Sequence, residues 1–125
     1  MFQPLEILKA LSDMNRLRIV AALSRYEELC ACQITEVLQV TGATASRHLS
    51  VLTHAGLLDS RKEGRWVYFS LAPPADTEAV FDWMGEAFSA SDVFQNDLQL
   101  LDKIVEITRE DLCRQQRGEA CCPTS

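Results

Sequence analysis

The chain has 125 residues, a length that suits one domain, and 47% of them are hydrophobic, which excludes global disorder. No apolar run approaches the roughly 18 residues that cross a bilayer, and the N-terminus MFQPLEILKA carries an acid and no basic leader, unlike a secretory signal. The net charge of −6 argues against a nucleic-acid partner until the chain is divided: residues 1–72 carry eight Lys and Arg against seven Asp and Glu, residues 73–125 four against eleven.

The acidity therefore lies in the C-terminal part, and a DNA-binding face in the first part stays open. A cytosolic protein with no membrane partner is expected. In that compartment five cysteines point to metal binding or redox chemistry more than to a disulfide framework.

Leu5, Leu8 and Leu11 follow helical spacing and predict a short first helix. Ser12 or Asp13 can cap a second, with Leu17, Val20 and Ala21 on one face, and Tyr26 to Leu29 form its exit. A third helix is predicted over about 32–39, with Ile34, Val37 and Leu38 buried. Thr41 is a fair N-cap for a fourth that reaches about Ala55, with Ala45, Leu49 and Leu52 inward and Gly56 past its end. The period then shifts to two: LLDSRK and RWVYFSL flank Glu63-Gly64, which reads as a two-residue hairpin turn. Two more helices are predicted over 76–90 and 92–114, the second with a stripe through Phe94, Leu98, Leu101, Val105 and Leu112. The tail RGEACCPTS is expected to be mobile.

Two short helices joined by a tight turn and followed by a basic hairpin describe a mainly α fold with a β-hairpin wing, a winged helix-turn-helix. The fourth helix offers Ala43, Thr44, Ser46, Arg47 and Ser50 on its polar side. Short side chains let such a helix sit deep in the major groove, Arg47 can meet a phosphate or a guanine edge, and the hydroxyls can bond to either. Arg61, Lys62 and Arg65 cluster around the wing turn, where they would neutralise backbone phosphates. His48 and His54 are not spaced as a helical metal-ligand pair, and packing or backbone contact is their simpler role.

KALSDMNRLRIVAAL, ELCACQI, SRHLSVLTHAGLL and RKEGRWVYFSL together resemble the ArsR/SmtB family of ligand-responsive bacterial repressors, over about residues 2–71. The resemblance implies a winged-helix homodimer that binds an inverted-repeat operator and leaves it when ligand binds. It also implies a dimer interface built from the first and the C-terminal helices, here Leu5, Leu8, Phe94, Leu98, Leu101 and Val105. The organisation expected is a DNA-binding unit with its dimerisation helix at 1–72, dimerisation helices at 73–114 and a cysteine-containing tail at 115–125.

ELCACQI resembles the arsenic-sensing branch, in which cysteines at the start of the third helix bind As(III) or Sb(III). Thiolates are soft ligands, and a helix N-terminus lowers a thiol pKa, while Glu27 and Glu28 push the other way. The best-known pattern has a third cysteine where this chain has Thr35. Trivalent arsenic favours three thiolates, so a third donor is to be sought among Cys113, Cys121 and Cys122, the tail pair Cys121 and Cys122 of either protomer being the first expectation. The alternatives are a two-coordinate site completed by water or a separate site in the tail.

Residues two apart on an ideal helix point about 200° from each other. Cys30 and Cys32 are therefore expected to diverge, so that a shared ion would unwind the first turn and shift the reading helix. Cadmium, lead or oxidation are alternative signals. The zinc- and nickel-sensing relatives use His and acidic residues on the C-terminal helix, and no histidine follows His54. An enzyme is not expected, because no nucleophile-base-orienter set, phosphate loop or CxxC motif is present.

Overall fold

The computed structural model describes residues 3–115, with side chains at 4–112. Element order is α1 (Gln3–Leu11), α2 (Met14–Arg25), β1 (Leu29–Cys30), α3 (Ala31–Leu38), α4 (Gly42–His54), β2 (Leu58–Glu63), β3 (Trp66–Leu71), a 3-10 turn (Ala75–Thr77), α5 (Glu78–Ser89), α6 (Asp92–Ile104) and α7 (Arg109–Gln115). No described helix is long and apolar enough to cross a membrane.

The local signals explain most boundaries. Asp13 caps α2 by accepting from the Asn15 and Arg16 amides, and Thr41 caps α4 by accepting from Thr44. Gln39 ends α3 in the left-handed region at φ 57°. Gly56, at φ 84°, lets the chain turn out of α4 into the sheet at little steric cost.

Three features depart from the sequence expectation. The wing turn is Gly64-Arg65, one residue later than predicted, because Glu63 and Trp66 still pair across the hairpin. A two-residue loop of this kind needs positive φ at its first position, which Gly64 supplies at 62°. Second, Leu29 and Cys30 form a short strand against β3, opposite Phe69 and Tyr68, and complete a sheet of order β1-β3-β2. Third, the helix expected over 92–114 is two helices. Thr108 starts α7 by accepting from the Asp111 amide through its hydroxyl and from the Leu112 amide through its carbonyl. The break lets α7 fold back onto α3, where Leu112 is fully buried.

The core runs through Ile19, Leu29, Ile34, Leu52, Leu57 and Leu101, so α2, α3, α4 and α6 share one interior. Arg18 ties these layers together. Its guanidinium donates to both Asp97 oxygens at 2.8 and 3.0 Å, to the Val37 carbonyl at 3.0 Å and to Asn15 Oδ1 at 3.0 Å. One half-buried cation thus joins α6 to the end of α3.

Candidate thiol site and nucleic-acid interface

Cys30 is the N-cap of α3, with extended backbone at φ −72° and ψ 149°, and Cys32 lies in the first helical turn. The cap residue does not follow helical geometry, so its side chain escapes the 200° divergence. The two Sγ atoms are 3.1 Å apart and both residues are fully buried. The expected separation, and with it the need to unwind the helix before both sulfurs can share an ion, is overturned by this capping conformation. Gln33 holds the cap in place, its Oε1 accepting from the Cys30 amide at 2.8 Å. Thr35 is buried, and its hydroxyl donates to the Ala31 carbonyl at 2.8 Å.

Burial pushes the Cys32 thiol up to about 11, against the lowering effect of nearby backbone N–H groups and of the Arg109 charge. The lowering expected from the helix N-terminus is outweighed because the side chain is sealed from water. Glu28 does not act on the thiol as expected; it faces Arg61.

Cys30 is also engaged in a disulfide whose partner lies outside the described residues. The other expected thiol donors, Cys121, Cys122 and the side chain of Cys113, lie outside them too. Among the described residues no cluster of three or more His, Cys, Asp or Glu is placed to hold a metal ion. His48 is a packing residue, buried with its Nδ1 3.2 Å from an Arg16 nitrogen.

The proposed reading face is open. Ala43, Ser46, Arg47 and Ser50 are exposed along α4 and Thr44 is half-buried, whereas Ala45, Leu49 and Leu52 face inward. On the wing Arg61, Lys62 and Arg65 are exposed. Arg65 lies over the Trp66 ring at 4.7 Å, while Arg61 is committed to Glu28 and Glu63 and lies over Tyr68 at 4.6 Å.

The expected dimer residues divide. Leu5, Leu8 and Val105 are exposed, Leu98 is half-buried, and Phe94 and Leu101 are buried where α6 packs on the rest of the chain. The last two serve the intramolecular core and have little surface to offer a partner. The open apolar face instead pairs α1 with α5, where Leu8 and Val80 line one groove and Trp83 is 69% exposed.

Sequence reasoning missed three residues around the thiols, Gln33, Tyr68 and Arg109, and the ion pair of a fourth, Glu28. Gln33 was findable, since a cap followed three residues later by Gln is a capping-box spacing. Tyr68 and Arg109, and the pairing of Glu28 with Arg61, carry no local signal, because only the tertiary fold brings them together.

The family model of bacterial regulatory proteins of the arsR family matches residues 13–60. The arsenical resistance operon repressor of Escherichia coli K12 is 37% identical over 74% of this chain and 83% of its own length. The arsenic resistance transcriptional regulator ArsR2 of Pseudomonas putida is 30% identical over 98% of this chain and all of its own. A cadmium resistance regulatory protein CadC homolog of Staphylococcus aureus is 41% identical over 66% and 65%. Among solved structures, HlyU from Vibrio cholerae superimposes with a TM-score of 0.62 at 25% identity, over 70% of this chain and 92% of that one. Family and fold alike are those of DNA-binding transcriptional regulators, and this chain belongs to the arsR family of bacterial regulatory proteins.

Proposed function

We propose that the chain is a repressor that binds operator DNA as a homodimer and releases it when As(III) or Sb(III) is captured by Cys30, Cys32 and a third cysteine. The observation that carries this reading is the 3.1 Å approach of two buried sulfurs at the start of α3. Once a dithiol has reduced the Cys30 disulfide, itself leaving as the oxidised dithiol, the site offers neutral buried thiols, and these suit arsenous acid. Three thiols replace its three hydroxyls, three As–S bonds form, and three waters leave with no net proton released. A divalent cation has no hydroxyls to carry the thiol protons away, so it must expel them, against a Cys32 thiol raised to about 11. The relatives named as arsenic regulators favour the same choice.

For the third donor we favour Cys113 over the tail pair Cys121 and Cys122. α7 packs on α3, and the charge of Arg109 reaches Cys32.

The signal has two short routes to the reading face. α3 packs on α4, and β1 hydrogen-bonds to β3 of the wing with Cys30 opposite Tyr68. Ligand that favours a shifted α3 start must weaken DNA binding by the same coupling free energy, about 10- to 100-fold for an ordinary allosteric pair. Operator release followed by fluorescence anisotropy tests the reading. Arsenite should release wild-type protein and leave Cys30→Ser, Cys32→Ser and Cys113→Ser bound at the same concentration. Release of the Cys30→Ser or Cys32→Ser protein at wild-type arsenite would sink the metalloid site.

A second reading has its own observation, the disulfide at Cys30. A repressor responsive to oxidation would join Cys30 to another cysteine as peroxide takes two electrons and two protons to become two waters. Peroxide would then release operator from wild type but not from Cys30→Ser, with reversal by a dithiol.

A further inference from the structure

His48 stands on the buried side of α4, among Ala45, Leu49 and Leu52, and is itself only 7% exposed. A polar ring in an apolar stripe carries a desolvation cost that packing alone does not offset. Its Nδ1 lies 3.2 Å from Arg16 Nη1. A guanidinium can only donate, so Nδ1 carries the lone pair and the ring proton sits on Nε2. Nε2 faces Asp13 Oδ1 at 4.0 Å, and that same oxygen accepts from the Asn15 and Arg16 amides at the start of α2.

The rest of the Arg16 guanidinium turns to α1. Nε donates to the Ala10 carbonyl at 2.6 Å and Nη2 to the Lys9 carbonyl at 3.4 Å. Both carbonyls belong to the last turn of α1, where helical bonding runs out and the dipole favours a cation. One planar group thus ties the end of α1 to the back of the reading helix. Beyond it a cavity of about 380 Å³ opens between α1 and the far half of α4, lined by Glu6, Lys9, Val51, His54 and Ala55 among others. Close packing does not fill that interval, so the polar link carries the angle between the two helices.

We propose that the Arg16–His48 pair is a positioning link that fixes the reading helix against α1 and so sets which half-site spacing the operator must have. The inference rests on the homodimer proposed above, in which α1 belongs to the interface. In such a dimer the distance and angle between the two reading helices must match two successive turns of the major groove. One base pair more or less displaces a half-site by about 3.4 Å and turns it by about 34°. A rigid link rejects that change, and a loosened one tolerates it. His48 is buried and makes no contact with DNA itself; it acts through the orientation of α4.

Full-length protein is given operator fragments, recovered by its own selection from random DNA, with the centre lengthened or shortened by one base pair. Fluorescence anisotropy reads the affinity for each, and a fragment with a single half-site reads the contacts of α4 alone. Wild type should prefer the selected spacing by about tenfold or more. His48→Leu, similar in bulk but without an acceptor, should cut that preference below about threefold and leave single half-site affinity within about twofold. His48→Gln keeps an acceptor for Arg16 and should retain most of the preference. Arg16→Lys tests the pair from its other side, because an ammonium cannot span the ring and two carbonyls. It should lose the preference too, and the double variant should lose no more than either single one, as for residues that act as a unit. A spacing preference kept in either His48→Leu or Arg16→Lys, or half-site affinity lost in step with it, overturns the link. Wild type that binds without any spacing preference overturns the homodimer reading and this inference with it.

Discussion

The guanidinium of Arg61 is clamped by the carboxylate of Glu28, Nε to Oε2 at 2.6 Å and Nη2 to Oε1 at 2.8 Å, while Nη1 meets Glu63 at 2.6 Å. Glu28 stands two residues before Cys30, so a wing residue suited to DNA phosphate is tied to the segment that carries the thiols. Hydrogen bonding to Arg61 holds the Glu28 carboxyl below its usual range. The clamp is therefore present at neutral pH and is lost as pH falls through that lowered value.

Glu28→Gln should loosen this clamp and free Arg61 for a phosphate. Operator binding should then tighten at low salt, and the slope of log affinity against log salt should steepen by about 0.9 for each Arg61 engaged. Arg61 is exposed and Glu28 half-buried at the surface, where solvent screens the pair, so the thermal midpoint should hardly move. An unchanged salt slope would show that Arg61 does not reach DNA even when released.

The raised Cys32 thiol separates the candidate ligands by pH. The thiol is protonated throughout the neutral range. Exchange with neutral arsenous acid releases only water, so arsenite affinity should stay nearly flat from pH 6.5 to 8.5, as an order-of-magnitude window around neutrality. A divalent ion must displace protons, so Cd(II) affinity should rise with pH, by about tenfold per unit for each proton expelled. Calorimetry in buffers of different ionisation enthalpy counts those protons directly. A steep rise for arsenite would mean that it binds pre-ionised thiolates.

Asp97→Ala removes the partner of Arg18, whose side chain is only 18% exposed against 11% for Asp97. Stranding that cation should destabilise the fold by about 3 kcal/mol. The melting midpoint should drop by about 10 °C for a chain of this size. The double change Arg18→Met with Asp97→Leu should recover much of the loss, because an apolar pair can replace a buried ion pair. A midpoint unmoved by Asp97→Ala would show that the Val37 and Asn15 contacts suffice for Arg18.

Trp83→Glu places a charge on the open face shared by α1 and α5. On the proposed homodimer, sedimentation should then show monomer at concentrations where wild type stays paired. Operator affinity should fall about a hundredfold or more, since the two half-sites are no longer held by linked domains. Undiminished dimerisation would move the interface elsewhere, with the exposed Val93, Leu100 and Val105 as the next surface to test.

Much of the fold was legible because its signals are local. Asp13 and Thr41 announce two helix starts by side-chain capping, Gly56 an exit, and the alternation in RWVYFSL a wing strand. The exposed side of α4 follows from periodicity alone, since Ala45, Leu49 and Leu52 can face only one way. Misreadings arose where a weak local preference met a tertiary contact. The stripe from Phe94 to Leu112 looked continuous, but Thr108 caps a new helix and α7 turns back to bury Leu112 on α3.

By itself the sequence determined the winged-helix architecture, the exposed polar face of α4 and the presence of paired thiols. The tertiary structure decided what those thiols can do. Cys30 leaves the helix because β1 pairs with β3, and only that extended cap lets its sulfur approach Cys32. Arg109 and Tyr68 reach the site from distant segments, and Glu28 finds Arg61 33 residues away. Helical periodicity describes a residue relative to its near neighbours in the chain. Contacts between segments far apart in sequence, which set the charge and acidity of this site, depend on how whole elements pack.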